Sequence, residues 1–159
     1  MKPAIDVKLI NPFLQSSISI VESVTQVKMT VGKPEVTDFN LKDTSYAIQV
    51  GVVGEMKGQV ILVMSEDNAK DIASKMMYGM PVTELDEMSC SALNELGNMI
   101  MGNTATIFST LGTLIDITPP LAVYGKDLKL RSDIDGLMVP LMNGNREYID
   151  LYICVYQDK

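Results

Sequence analysis

Four residues near the middle of this sequence have the types and spacing to act together: Ser91, Glu95, Asn98 and Gly102. A helix turns by about 100° per residue, so positions i, i+4, i+7 and i+11 form one narrow stripe. The stripe carries a carboxylate and a primary amide one helical turn apart. A carboxylate accepts hydrogen bonds and pairs with cations. An asparagine amide both accepts and donates, and it does so without titrating.

The rest of the chain narrows what chemistry is open to that stripe. There is no histidine, so Ser-His-Asp and Cys-His catalysis within the chain are excluded. With two cysteines, Cys90 and Cys154, and no histidine, a zinc site is not expected. Both cysteines stand in apolar surroundings and are expected to be small buried hydrophobes, with a structural disulfide as the minor alternative. No GxxxxGK[ST] or GxGxxG phosphate loop is present. Carboxylates, amides and hydroxyls remain, or groups that a partner brings. The net charge of −7, from 20 acids and 13 bases, opposes binding to a phosphate backbone. The densest basic stretch, Lys126, Lys129 and Arg131, is diluted by Asp127, Asp133 and Asp135.

At 159 residues, with 47% hydrophobic and 21% charged residues, the chain is expected to form one globular domain over 1–159. The N-terminal stretch lacks the apolar core of a signal peptide, and no apolar run approaches a membrane span. A cytoplasmic location is the expectation.

The stripe needs a helix beneath it. Asn11-Pro12 signals the start of a first helix, with Asn11 as its cap, and Leu14, Ile18, Val21 and Val24 recur at helical spacing. Strands are expected at Val36 to Leu41, Ser45 to Val53 and Gln59 to Met64, the last two joined by the turn Gly54 to Gly58. Ser65 caps a second helix that runs to about Tyr78. A third helix starts at Thr83 or Asp86, continues to about Thr110 and carries the stripe. Strands follow at Ile115 to Ile117, Leu121 to Tyr124 and Leu128 to Leu130. A last hairpin, Leu137 to Met142 and Tyr148 to Tyr156, turns at Asn143-Gly144-Asn145. Helix, link, strands and hairpin thus occur from Asn11 to Met64 and again from Asp86 to Tyr156. A pseudo-twofold α+β unit, helices packed on a mostly antiparallel sheet, follows from that echo.

On the third helix the core face is expected to hold Met88, Ala92, Leu93, Leu96, Met99, Ile100 and Ile107, with Met101 projecting off it. Most polar helix faces only meet water. Two details weigh against that alternative here. Gly97 and Gly102 each cost about 1 kcal/mol of helix stability relative to alanine. Asn98 is a mediocre helix former, where a solvated face would do better with Lys or Glu.

Ser91-x3-Glu95-x2-Asn98, followed by Pro119-Pro120, resembles the signature of the CheC/CheX/FliY chemotaxis phosphatases. Gly97-Asn98 and Gly102-Asn103-Thr104-Ala105 resemble the glycine-rich character of that family's active helix. Asn11-Pro12-Phe13-Leu14 and Gly58-Gln59-Val60 are similar to the CheX type, and the likeness runs from about residue 3 to 156. The first helix has Glu22 followed by Thr25 and lacks Glu-x-x-Asn, so one site per chain, the CheX pattern, is implied.

The resemblance implies a phosphatase that acts on the phospho-aspartate of a CheY-like response-regulator receiver domain. Asn98 would orient the attacking water and Glu95 would pair with the receiver's lysine. Ser91 and Gly102 would support the site or contact the partner, and Pro119 or Pro120 would shape the loop beside the helix. The chain would need no cofactor of its own, Mg²⁺ belonging to the receiver. A homodimer joined through strands near Tyr124 to Leu130 is also implied. Two rivals stand beside this expectation. One is a non-catalytic receiver-binding or flagellar-switch-like module of the same superfamily. The other is a small-molecule enzyme built on Glu95, which would need a deep apolar pocket beside the stripe.

Overall fold

The computed structural model describes residues 6–36, 39–134 and 136–157. Residues 37 and 38 of the strand expected at Val36 to Leu41, and Asp135, lie outside them. After a short 3-10 turn at Val7–Leu9 the chain forms helix α1 (Asn11–Thr25). Strands β1 (Thr30–Val31), β2 (Glu35–Val36), β3 (Phe39–Leu41), β4 (Ser45–Gly54) and β5 (Met56–Ser65) follow. Helix α2 (Glu66–Met76) leads to the long helix α3 (Glu87–Thr110). The chain ends with β6 (Ile115–Ile117), β7 (Leu121–Gly125), β8 (Leu128–Leu130), β9 (Leu137–Asn143) and β10 (Arg146–Gln157).

Most expected elements are present, and the differences have local causes. Asn11 is the first residue of α1, not its cap; Ile10 occupies the cap position and its hydrocarbon side chain offers no acceptor, while Pro12 has no amide hydrogen to be capped. Helix α2 stops at Met76, where Met77 bonds back to Ala73 and Ser74 and Tyr78 turns to φ 58°. Ser65 does cap α2, accepting from the Asn68 amide at 3.1 Å.

The main sheet runs β1-β9-β10-β5-β4-β6, with β2 also on β9 and β7 also on β4. Every pairing in it is antiparallel. The echo expected from the sequence is visible in this order. Hairpins β4–β5 and β9–β10 meet at the centre, where β5 and β10 pair from Met56↔Gln157 to Val63↔Asp150. Each half lends strands to the other half's hairpin: β1 and β2 join β9, and β6 and β7 join β4. The halves also share a two-stranded sheet, β3 with β8.

The helices cover one face of the sheet. Tyr46, Ile48, Val50 and Val52 of β4, and Leu62, Leu141, Leu151 and Ile153, share a core there with Phe13, Val21, Leu93, Leu96, Ile100 and Phe108 of the helices. Phe13 and Phe108 meet edge to face at 5.4 Å, joining α1 to α3. On the other face Ala47, Ile61, Val63, Tyr152 and Cys154 form a smaller cluster under Leu41, Leu130, Ile134 and Met138. Cys90 is half-buried and Cys154 buried. Among the described residues no helix is long and apolar enough to cross a membrane.

That second face also holds Asp150, in a cleft of about 350 Å³ with Lys42, Asp43, Ser45 and Glu147. Its Oδ1 is buried with no hydrogen-bond partner among the described residues. Burial, with Glu147 beside it, pushes the carboxyl pKa up to about 7. The folded chain therefore keeps a proton that the unfolded chain releases near pH 4, so this group lowers stability as pH rises from there to about 7. Asp150→Asn, which mimics the protonated form, is expected to be more stable than the parent, and its advantage should grow by roughly 2 kcal/mol between pH 5 and pH 8. Urea unfolding at the two pH values measures this; an equal gain at both would contradict it.

Candidate functional site

Helix α3 is fixed at both ends by its own sequence. Asp86 is the N-cap: its Oδ1 accepts from the Ser89 amide at 2.9 Å and from the Ser89 hydroxyl at 2.8 Å. These hydrogen bonds hold the Asp86 carboxyl below the usual carboxylate range. At the other end Gly112 takes φ 87°, and the Thr113 amide bonds back to the Phe108 carbonyl at 2.9 Å. Between these stops run 24 helical residues, about 36 Å of helix.

The stripe faces outward. Ser91, Glu95 and Asn98 are exposed and Gly102 is half-buried. Among the described residues no hydrogen bond or ion pair ties down the Glu95 or Asn98 side chain. A Cβ built on Gly102 would meet nothing within 4 Å.

The buried side of α3 differs from the expected one at several positions. It consists of Ser89, Leu93, Leu96, Gly97, Ile100, Met101, Thr104 and Phe108. Met101 is fully buried, so it does not project toward a partner. Met88 is 61% exposed and is not a core residue. Seven residues before Glu95, it lies within about 20° of Glu95 around the helix and so extends the stripe. The buried arc is broad because α3 packs on α1, α2 and β4 together. Polar residues in that arc bond within the helix, as Thr104 does to the Ile100 carbonyl at 2.7 Å.

The two helix glycines separate here. A Cβ on Gly97 would stand 2.8 Å from Cγ2 of Ile48, so Gly97 lets α3 lie close on β4. Among the described residues Gly102 has no such packing contact.

Two asparagines border the stripe, and sequence reasoning gave neither a role. Asn94 accepts a hydrogen bond from the Tyr46 hydroxyl at 2.8 Å. Tyr46 is fully buried, and that burial pushes its phenol pKa well above the ordinary value. On the other flank Asn103 donates to the Ser16 hydroxyl oxygen at 3.0 Å, and Ser16 donates to the Ile100 carbonyl at 2.6 Å. The available signal was Ser16-Ser17, a serine pair in a helix otherwise apolar on that side; both are buried.

Pro119 and Pro120 lie on the β6–β7 link, away from α3 in the chain; Pro119 is exposed and Pro120 half-buried. Thr118 anchors that link to β4. Its amide donates to the Gly51 carbonyl at 3.0 Å, and its hydroxyl oxygen accepts from the Gly51 amide at 2.7 Å. The structure thus gathers Ser91, Glu95, Asn98 and Gly102 on one helix face. The prolines are connected to it through β4, the strand that carries Tyr46 and Ile48 against α3. Clefts of about 300 to 540 Å³ occur at other places, and Ser91, Glu95 and Asn98 line none of them. An exposed convex helix suits a macromolecular partner, where a small substrate would need a concavity.

Comparison with known proteins points the same way. Residues 46–142 match the family model described as chemotaxis phosphatase CheX. The CheY-P phosphatase CheX of Thermotoga maritima is 33% identical over 150 residues, covering 94% of this chain and 97% of that protein. A CheC-like superfamily protein from a Shewanella species superposes with a TM-score of 0.85 at 26% identity, over 96% of this chain and 99% of that one. The CheX of a CheX-CheY-BeF3-Mg²⁺ complex from Borrelia burgdorferi gives a TM-score of 0.80 at 28% identity, over 97% and 100%.

Proposed function

Since the chain belongs to the chemotaxis phosphatase CheX family, we propose that it hydrolyses the phospho-aspartate of a CheY-like receiver domain, with α3 inserted at the receiver's phosphorylation site. The observation that carries this is the joint exposure of Glu95 and Asn98 on an uncovered helix face. Water attacks phosphorus, the bond from phosphorus to the aspartate oxygen breaks, and the free carboxylate and inorganic phosphate leave. Phosphoryl transfer of this kind depends on positioning and charge stabilisation. The Asn98 amide accepts a hydrogen bond from the water and holds it in line with the breaking bond. Glu95 pairs with the receiver's lysine. Once docked, that pair is partly desolvated and contributes more than an exposed ion pair.

Ser91 supports the N-terminal side of this contact, and Gly102 lets the receiver approach the helix closely. Pro119 or Pro120 shapes the neighbouring link. The required Mg²⁺ is the receiver's, and this chain adds no cofactor. The protein works in the cytoplasm, where its receiver is. Exposed Leu121, Val123 and Tyr124 on β7 support a homodimer formed along that edge.

The test is binding to a receiver loaded with beryllofluoride and Mg²⁺, which imitates the acyl phosphate. The loaded receiver should bind, and Glu95→Ala should weaken that binding about tenfold or more, equivalent to about 1.4 kcal/mol. Equal affinity of parent and variant would remove Glu95 from the contact.

A further inference from the structure

Glu95 and Asn98 can act together only if α3 presents both at one angle. Among the described residues neither side chain is held by a neighbour, so their aim rests on the rotation of the helix itself. The ties that could set this rotation lie beside the stripe. At about 100° per residue, Asn94 stands to one side of the Glu95–Asn98 line and Asn103 to the other. Asn94 is held by Tyr46 of β4 at 2.8 Å, and Asn103 by Ser16 of α1 at 3.0 Å. Ser16 also holds the Ile100 carbonyl at 2.6 Å. Tyr46 and Ser16 are both fully buried. Beneath the stripe, Gly97 rests on Ile48, two residues along β4 from Tyr46. Apolar packing alone permits a helix to roll by small angles, because dispersion contacts have weak directional preference. Directional hydrogen bonds on both flanks oppose that roll.

We propose that Tyr46 and Ser16 are positioning residues for the phosphatase. Through Asn94 and Asn103 they lock the rotation of α3 and so the aim of Glu95 and Asn98. This rests on the function proposed above. A displacement of about 1 Å at the reacting groups can cost up to a hundredfold in rate. The lock therefore acts mainly on kcat, through the short Asn98 amide; the longer Glu95 side chain still reaches the receiver's lysine after a small roll, so KM changes little.

The test compares Tyr46→Phe, Asn94→Ala and the double variant, with Ser16→Ala as an independent probe of the other flank. Phenylalanine keeps the buried ring and removes only the donor. Steady-state hydrolysis of a phosphorylated receiver and thermal unfolding are measured for each. Tyr46→Phe and Asn94→Ala should each lower kcat about tenfold with KM within twofold. The double variant should be no slower than Tyr46→Phe, because that substitution already removes the bond to Asn94 together with a longer one to the Cys90 carbonyl at 3.5 Å. Ser16→Ala should lower kcat in the same sense. A lower melting temperature with unchanged kcat would overturn the lock, as would a double variant whose loss is the product of the two single losses. If the parent chain itself fails to accelerate phosphate loss, the phosphatase function fails and the lock with it. If the parent turns over and Tyr46→Phe matches it, the lock alone is rejected.

Discussion

Replacing Asn98 with alanine is expected to lower kcat for receiver dephosphorylation by about a hundredfold and to leave KM nearly unchanged. The side chain is exposed and has no partner among the described residues, so its loss removes no internal contact. Alanine also favours the helix more than asparagine does, so the fold should be as stable or slightly more so. What disappears, on the proposed function, is the amide that would hold the attacking water. A hundredfold corresponds to about 2.7 kcal/mol of barrier, a reasonable size for one fixed water in an in-line displacement. Because the water is positioned for reaction and contributes little to docking, the loss should fall on kcat. Asn98→Asp makes a sharper comparison. It keeps the shape and acceptor oxygen, yet it sets a negative charge beside the phosphoryl group and should not restore the rate.

Of the two glycines within α3, Gly97 is expected to give the larger structural effect. Gly97→Leu should destabilise the fold by about 3 kcal/mol or more, since a large side chain would be driven into a filled core. Even a Cβ there would stand 2.8 Å from Ile48 Cγ2, and Ile48 is fully buried on a central strand with a stiff, branched side chain. Gly102→Leu supplies the control. With open space above it, it should leave unfolding within about 0.5 kcal/mol of the parent or better, and it should weaken receiver binding by blocking approach. Urea unfolding of both variants separates the roles. Equal destabilisation would contradict the assignment of Gly97 to packing and Gly102 to the partner.

Much of this arrangement could be read from the chain because its signals are local. Helix periodicity together with Asp86 and Gly112 placed α3 closely, and the hairpin turns located β4–β5 and β9–β10. The stripe Ser91, Glu95, Asn98 and Gly102 followed from angle alone. The details that escaped depend on what lies across from a residue. Met101 reads as a residue off the core face until α1 and α2 are known to pack beside α3. Met88 is an exception: its angle alone, about 20° from Glu95, sets it on the stripe, and its apolar character is what suggested the core face. The packing role of Gly97 depends on Ile48, and those of Asn94 and Asn103 depend on Tyr46 and Ser16, all far away in sequence. Strand β1, only Thr30–Val31, exists because β9 offers it an edge, with no periodic pattern of its own. The exchange of strands between halves likewise lies in long-range pairing.

Turnover is the claim on which the rest depends. The direct measurement is phosphate release from a phosphorylated CheY-like receiver, with this chain at about one hundredth of the receiver's concentration. Repeated cycles are expected: the receiver pool should empty many times faster than it does alone, each chain serving many receivers. An effect that stops after one receiver per chain, or no acceleration at all, would contradict a catalytic role for Glu95 and Asn98 and leave a binding module in its place.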